Sequence, residues 1–268
     1  MSFTSYRNPP SIFSQPTWGM EFRSTLNQTV ALATDFRSPD ISMWKCEAGF
    51  VCNRFIFASP HFELAATNNV VFDRAAALKA ILDGAMYLFS PAHEPFTFGR
   101  LINNRTGKSY ECWEGNVLSN PFDDLVLSMG VPRVYAPGKS LSVEQMIFLS
   151  RFDDVTRDLL KHLGYNGPDY RTLYSVLDWL KTHGWSDERI AGCSGMNSGD
   201  VKRFTGTVNN VETLGVFARH GAKRHGPPQK TITLAEAQKL ILKATYQFVV
   251  ERAIQADIVA KWEAIRCD

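Results

Sequence analysis

The chain has no CxxC pair, no internal repeat and no low-complexity tract. No apolar run reaches the ~18 residues needed to cross a bilayer, so no membrane partner is expected. Its five cysteines, Cys46, Cys52, Cys112, Cys193 and Cys267, are odd in number and widely spaced. That argues against a disulfide framework and for reduced, mostly buried thiols. Nothing supplies the second half of a zinc site to Cys46 and Cys52, so neither a metal nor another cofactor is expected. The Ser194–Gly199 segment is rich in glycine and serine, but no Gly-Lys-Ser/Thr follows and it is not a Walker loop. Gly192-Cys193-Ser194-Gly195 is not a Gly-x-Ser-x-Gly elbow, and Cys193 has no placed His and Asp to make it a nucleophile. Net charge is only +2. There is no overall basic field, so any nucleic-acid binding has to come from a local patch. Met1–Gln15 is polar, carries Pro9-Pro10 and lacks the charged start and apolar run of a signal peptide. A cytoplasmic protein of bacterial type is expected.

What is present is a globular composition, with 44% apolar and 21% charged residues over 268 positions. That length suits one large domain or two ordinary ones. After an irregular lead-in to about residue 25, Phe50–Phe57 reads as a strand, Ser59-Pro60 as a turn and His61–Ala66 as a second strand. Asp73 reads as the cap of a helix over Ala75–Phe89, whose apolar residues recur at helical spacing. Phe96–Ile102 and Lys108–Trp113 read as strands of a hairpin around Asn103–Gly107. Residues 115–140 read as a connector with a short element at Leu125–Met129, and the domain boundary is placed at Pro137-Gly138.

Beyond it the pattern turns helical. Ser142 with Gln145 makes a capping box ahead of one helix running to Leu163 and closed by Gly164. Arg171–His183, a short piece from Ser186 to Gly192, Asp200–Gly206 and Val211–Arg219 follow. Thr233 with Glu236 caps a final long helix whose pattern persists toward Trp262. The expected class is α+β: a small N-terminal antiparallel sheet with one helix (1–137), then an all-α bundle (138–268).

One stretch gathers chemistry. Arg219-His220-Gly221-Ala222-Lys223-Arg224-His225 packs two of the six histidines beside three basic side chains, just ahead of Pro227-Pro228 and the last helix. A guanidinium grips phosphate oxygens, and an imidazole moves protons near neutral pH. Together they can cleave a phosphodiester without a metal.

The Arg219-x5-His225 form, with polar His220 after the arginine and a helical domain around it, resembles the HEPN superfamily of helical bundles. Such domains occur in bacterial toxin, CRISPR and antiphage proteins. The resemblance covers at most Ser142–Ile265. It implies a metal-independent endoribonuclease in a stress or defence setting, working as a homodimer whose two motifs form one composite site. Arg219 would then bind and polarise the scissile phosphate. His225 would be general acid or base, and His220 would orient the pair or the RNA. Lys223 and Arg224 would hold the RNA backbone.

A second resemblance runs through Arg203–Asn210, Gly215–Gly221 and Thr233–Ala237. It is to the C-terminal segment of uncharacterised bacterial proteins and implies no activity. Two other readings of the basic stretch stay open: a solvated loop, and a non-catalytic anion site. The whole chain can also be read as a dimeric interaction or ligand-sensing protein.

Elsewhere, Asp153, Asp154 and Asp158 read as a solvated helix face. His162 and His183 read as favourable helix C-terminal residues. Asp123-Asp124 reads as a polar turn, and Trp44, Trp113, Trp179 and Trp185 as core or interface.

Overall fold

The computed structural model describes residues 16–23, 36, 38–45, 54–111, 114–123, 126, 141–219, 230–258 and 261. The α+β class holds. Five strands form one antiparallel sheet in the order β2-β3-β1-β4-β5, with β1 Trp18–Arg23, β2 Ser42–Lys45, β3 Arg54–Ala58, β4 Thr97–Asn103 and β5 Ser109–Glu111. The helices are α1 Asn68–Phe89, α2 Val143–Leu149, α3 Asp154–Asn166, α4 Tyr170–Thr182, α5 Asp187–Gly192, α6 Ser198–Val208, α7 Val211–Leu214 and α8 Leu234–Gln255, with 3-10 turns at Pro60–Phe62 and Gly215–Phe217. The chain divides into two compact units. One comprises 1–79, 94–152 and 257–268, the other 80–93 and 153–256, so α1 serves both. The expected boundary at Pro137-Gly138 lies outside the described residues, as do most of the element expected at Leu125–Met129 and the reach of the last helix toward Trp262.

In the first unit the sheet is apolar on both faces. Strand alternation sends Phe55 and Phe57 to one side and Ile56 and Ala58 to the other, and all four are buried. Phe22 stacks on Phe96 with ring centres 4.0 Å apart and on Phe55 at 5.3 Å. Ile56, Ala58 and Ile102 pack together under Trp44 on the opposite face. The β1–β4 register slips between Glu21 and Phe22, leaving Gly99 as the extra residue of a bulge.

Three sequence expectations are corrected here. The lead-in contains β1, a central strand. His61–Ala66 is not a strand, because Ser59 accepts from the His61 amide and starts a 3-10 turn with Pro60 at its first position. Asp73 does not cap α1, which begins at Asn68. Its carboxylate instead accepts from the Asn116 amide at 2.7 Å.

In the second unit the described secondary structure is helical, with no strand among the described residues. The single helix expected after Ser142 is two: α2, in the first unit, ends at Leu149 with Ser150 as its C-cap, and Asp153 opens α3 by accepting from Thr156 N at 3.2 Å. Gly164 does not end α3, which continues to Asn166 and stops at Gly167, where φ is +73°. Gly164 is instead a contact point. A Cβ there would stand 1.9 Å from the Ala80 carbonyl oxygen, and one at Gly84 would stand 2.0 Å from that of Leu160. The two glycines let α1 and α3 cross backbone against backbone. Asp169, Ser186, Asn197, Asn210 and Thr233 cap the later helices as their residue types dictate. α8 packs on α4 and α5, and α6 on α4, α5 and α7.

Candidate functional site

Arg219 is the described member of the basic stretch. His220, Lys223, Arg224 and His225 lie outside the described residues. The helix expected over Val211–Arg219 breaks into α7 and a 3-10 turn, because Gly215 takes φ +58°. This turn folds back on α6, where the Arg219 amide donates to the Val208 carbonyl at 2.9 Å. It is also tied to α4. The Arg171 guanidinium donates to the carbonyls of Val216, Phe217 (3.1 Å) and Ala218 (3.4 Å).

Arg219 itself lies over the Tyr174 ring, 4.2 Å from its centre, and its Nη2 is 3.4 Å from Asp178 Oδ2. Arg171, Tyr174 and Asp178 share a face of α4 by helical spacing, so that one face positions the arginine. The Arg219 and Asp178 side chains keep 41% and 47% of their surface exposed. A pair this wet contributes at most about 1 kcal/mol, so an incoming phosphate can replace the carboxylate. Beside it Val216 and Phe217 stand 82% and 66% exposed. The turn therefore offers an aromatic ring, a cation and unspent donor edges to solvent.

The histidines that are described have other duties. His183 closes α4, its ring Nδ1 2.8 Å from the Trp179 carbonyl. His162 sits within α3 beside Asn166 rather than at its end, and burial pulls its pKa below 6.5. Asp153 is not solvated surface, since Arg252 binds it through two nitrogens, one at 3.0 Å. Asp123 does more than fill a polar turn, pairing with Arg74 at 2.8 Å. Cys193, the one described cysteine, is a free thiol whose pKa is raised by burial, and it is only half-buried.

Two buried Asp–His pairs escaped the sequence reading. In the first unit His61 and Asp40 are wholly buried, with His61 Nε2 2.8 Å from Asp40 Oδ1. The Asp123 amide donates to His61 Nδ1 at 3.0 Å. With Nδ1 accepting, Nε2 is the nitrogen that donates to Asp40. Arg151 Nε donates to the same Asp40 oxygen at 2.5 Å, while its guanidinium lies over Phe148. Arg74 donates to the His61 carbonyl and pairs with Asp123. Burial by itself would raise the Asp40 pKa, but the Arg151 charge and the hydrogen bonds from His61 and Arg151 outweigh it and hold it below 3.8. With His61 and Asp40 fully buried, no substrate reaches the cluster, and it acts as a clamp on the first unit.

In the second unit Asp83 and His93 meet at 2.8 Å, with the Tyr87 ring edge-on to His93. Burial and the Asp83 charge push the Tyr87 phenol above its usual value. Asp40 lies 21 residues from His61 and 111 from Arg151, a separation no local motif reports.

Among the described residues no three His, Cys, Asp or Glu side chains converge as metal ligands would, and no helix is long and apolar enough to cross a membrane. No family model matches the chain, and comparison with curated proteins and with solved structures finds no match.

Proposed function

We propose that this protein binds RNA at the turn that leads to Arg219 and at the basic residues that follow it in sequence to His225, and that Arg219 and His225 cleave it without a metal. The observation that carries the reading is the exposure of Phe217 and Arg219 on one short turn held against α4 by Arg171. Single-stranded RNA is recognised by base stacking on exposed aromatic rings and by guanidinium contacts to phosphate. Phe217 supplies the ring, Arg219 the charge, and Lys223 and Arg224 would extend the backbone contacts.

In the cleavage step Arg219 would stabilise charge developing on the phosphate. His225 would take the 2′-hydroxyl proton or give one to the leaving 5′-oxygen, and His220 would steer the pair. The HEPN-like resemblance adds a homodimer formed through the helical unit, a cytoplasmic location and a stress or antiphage setting.

The test is incubation of the chain with a mixed RNA pool in EDTA, beside an Arg219→Ala/His225→Ala variant. Cleavage by the native chain that disappears in the variant supports the enzyme. RNA binding without cleavage, weakened by Phe217→Ala and Arg219→Ala, leaves the site as a binding surface. A chain that neither binds nor cuts RNA favours the alternative reading, a dimeric interaction or ligand-sensing protein that pairs through its last helix and binds through its N-terminal sheet.

A further inference from the structure

We infer that α5, the turn after it and α6 form a helix–turn–helix that docks in the major groove of duplex DNA. This goes beyond the RNA reading and does not rest on it.

The unit has the parts such a motif needs in the order it needs them. α5 is a six-residue helix and α6 an eleven-residue one, and the two pack together with α4 behind α6. The turn between them is set by Gly195, whose φ of +71° is a conformation L side chains rarely adopt. Within that turn Gly195 N donates to the Gly192 carbonyl, and Met196 N and Ser194 Oγ both donate to that of Ala191. The apolar pattern matches the geometry. Ile190 and Ala191 of α5 and Val201 and Phe204 of α6 are buried, giving the spacing Ala191-x3-Gly195-x5-Val201 across the motif. A closed α6 start is built by Asn197, whose side chain caps the helix while Asp200 reaches back to its amide.

The opposite face of α6 is the more accessible one. Gly199 and Lys202 are exposed there, Ser198, Thr205 and Gly206 are half-buried beside them at helical spacing, and Asn197 is exposed just ahead. An α-helix about 10–12 Å across fits a groove about 12 Å wide, and small side chains at its rim let the backbone come close. Asn197, Ser198 and Lys202 can donate to base edges or phosphates.

Charge fits the same occupant. Lys202 is exposed and makes no ion pair among the described residues. Arg203, although paired with Asp200 and Glu236, also reaches the Thr231 carbonyl at 3.1 Å. That contact brings exposed Lys230, the neighbour of Thr231, alongside α6. Lys202 and Lys230 thus give this face two exposed cations for a polyanion, against the single exposed carboxylate of Glu188 on α5.

The test measures binding of the full chain to a random-sequence duplex DNA pool by fluorescence anisotropy, with a single-stranded RNA pool beside it. Lys202→Glu and Ser198→Glu are the variants, and Lys243→Glu, exposed on α8, is the control. A glutamate at position 198 favours the helix dipole, so lost binding there cannot come from a weakened helix. Expected are duplex binding, a loss of about tenfold or more in each α6 variant, a salt slope shallower by about one in Lys202→Glu, and little change in the control. Sequence enrichment from the pool should fade in the same variants. Failure to bind duplex, or equal losses in control and α6 variants, would overturn the inference. The Arg219→Ala/His225→Ala chain should bind duplex at native strength. Loss of RNA activity alone therefore marks failure of a different site.

Discussion

Replacing Arg151 by methionine tests the clamp at its most exposed point of logic. The change removes the cation but keeps an unbranched side chain of similar length over Phe148. Asp40, with no exposed surface, then keeps its charge with only the His61 Nε2–H as a donor among the described residues. Its second oxygen already has no hydrogen-bond partner there. A pair in contact at an effective dielectric near 20 is attracted by about 4 kcal/mol, and breaking such a buried pair costs about 3–5 kcal/mol. For a domain of this size that lowers the melting temperature by roughly 6–20 °C. Urea unfolding followed by near-ultraviolet circular dichroism gives the number.

The sign of the pH dependence sharpens it. In the native chain the folded Asp40 pKa lies below 3.8, so its stabilisation is complete above that pH and fades as pH falls through the lowered value. In Arg151→Met burial prevails over the remaining His61 hydrogen bond, and the folded pKa rises above the unfolded one. Stability should then be greatest at acid pH and drop as pH rises toward neutral, opposite to the native slope. The double variant Asp40→Leu/Arg151→Met removes both charges and should recover most of the loss, less the ~1–3 kcal/mol of an unpartnered His61 donor. A single variant that loses under ~1 kcal/mol, or a double variant no better than the single, refutes the clamp.

Two further outcomes follow from the second unit. Gly164→Ala should gain about 1 kcal/mol of helix propensity, yet it places a methyl 1.9 Å from the Ala80 oxygen, so α1 and α3 must separate. Net destabilisation of about 1–3 kcal/mol is expected, and an unchanged or higher melting temperature would contradict the crossing. His162 has a folded pKa held below 6.5 mainly by burial, so its contribution is present above pH 6.5 and is lost as pH falls below it. His162→Gln should flatten the fall in melting temperature between pH 7 and pH 5, and an identical slope in both chains would count against that burial.

What the sequence could and could not disclose follows from the range of each interaction. Caps are written within four residues, and Ser142 and Thr233 were legible because each acts on an amide of its own helix. Strand β3 was legible from its β-branched and aromatic residues, and the β4–β5 hairpin from a glycine-containing turn. β1 was hidden because Trp18–Arg23 holds no β-branched residue and carries Gly19, so its composition does not read as strand. His61 looked like a strand residue since its neighbours alternate, whereas its real partners, Asp40, Asp123 and through Asp40 also Arg151, are distant in sequence.

The same contrast separates the two nucleic-acid readings. Arg219 was conspicuous because cations and histidines crowd around it in sequence. Once placed, it leans on Tyr174 and Asp178, and its worth to a phosphate depends on displacing a carboxylate 3.4 Å away. Lys202 drew no notice in a segment that looked like broken, glycine-interrupted helix. Those interruptions are what the turn requires: Gly195 sets the bend, Gly199 admits the Asn197 cap, and Val201 and Phe204 turn inward so that Lys202 must face out. The glycines that interrupt the helical pattern are therefore what gives α6 a defined outward face.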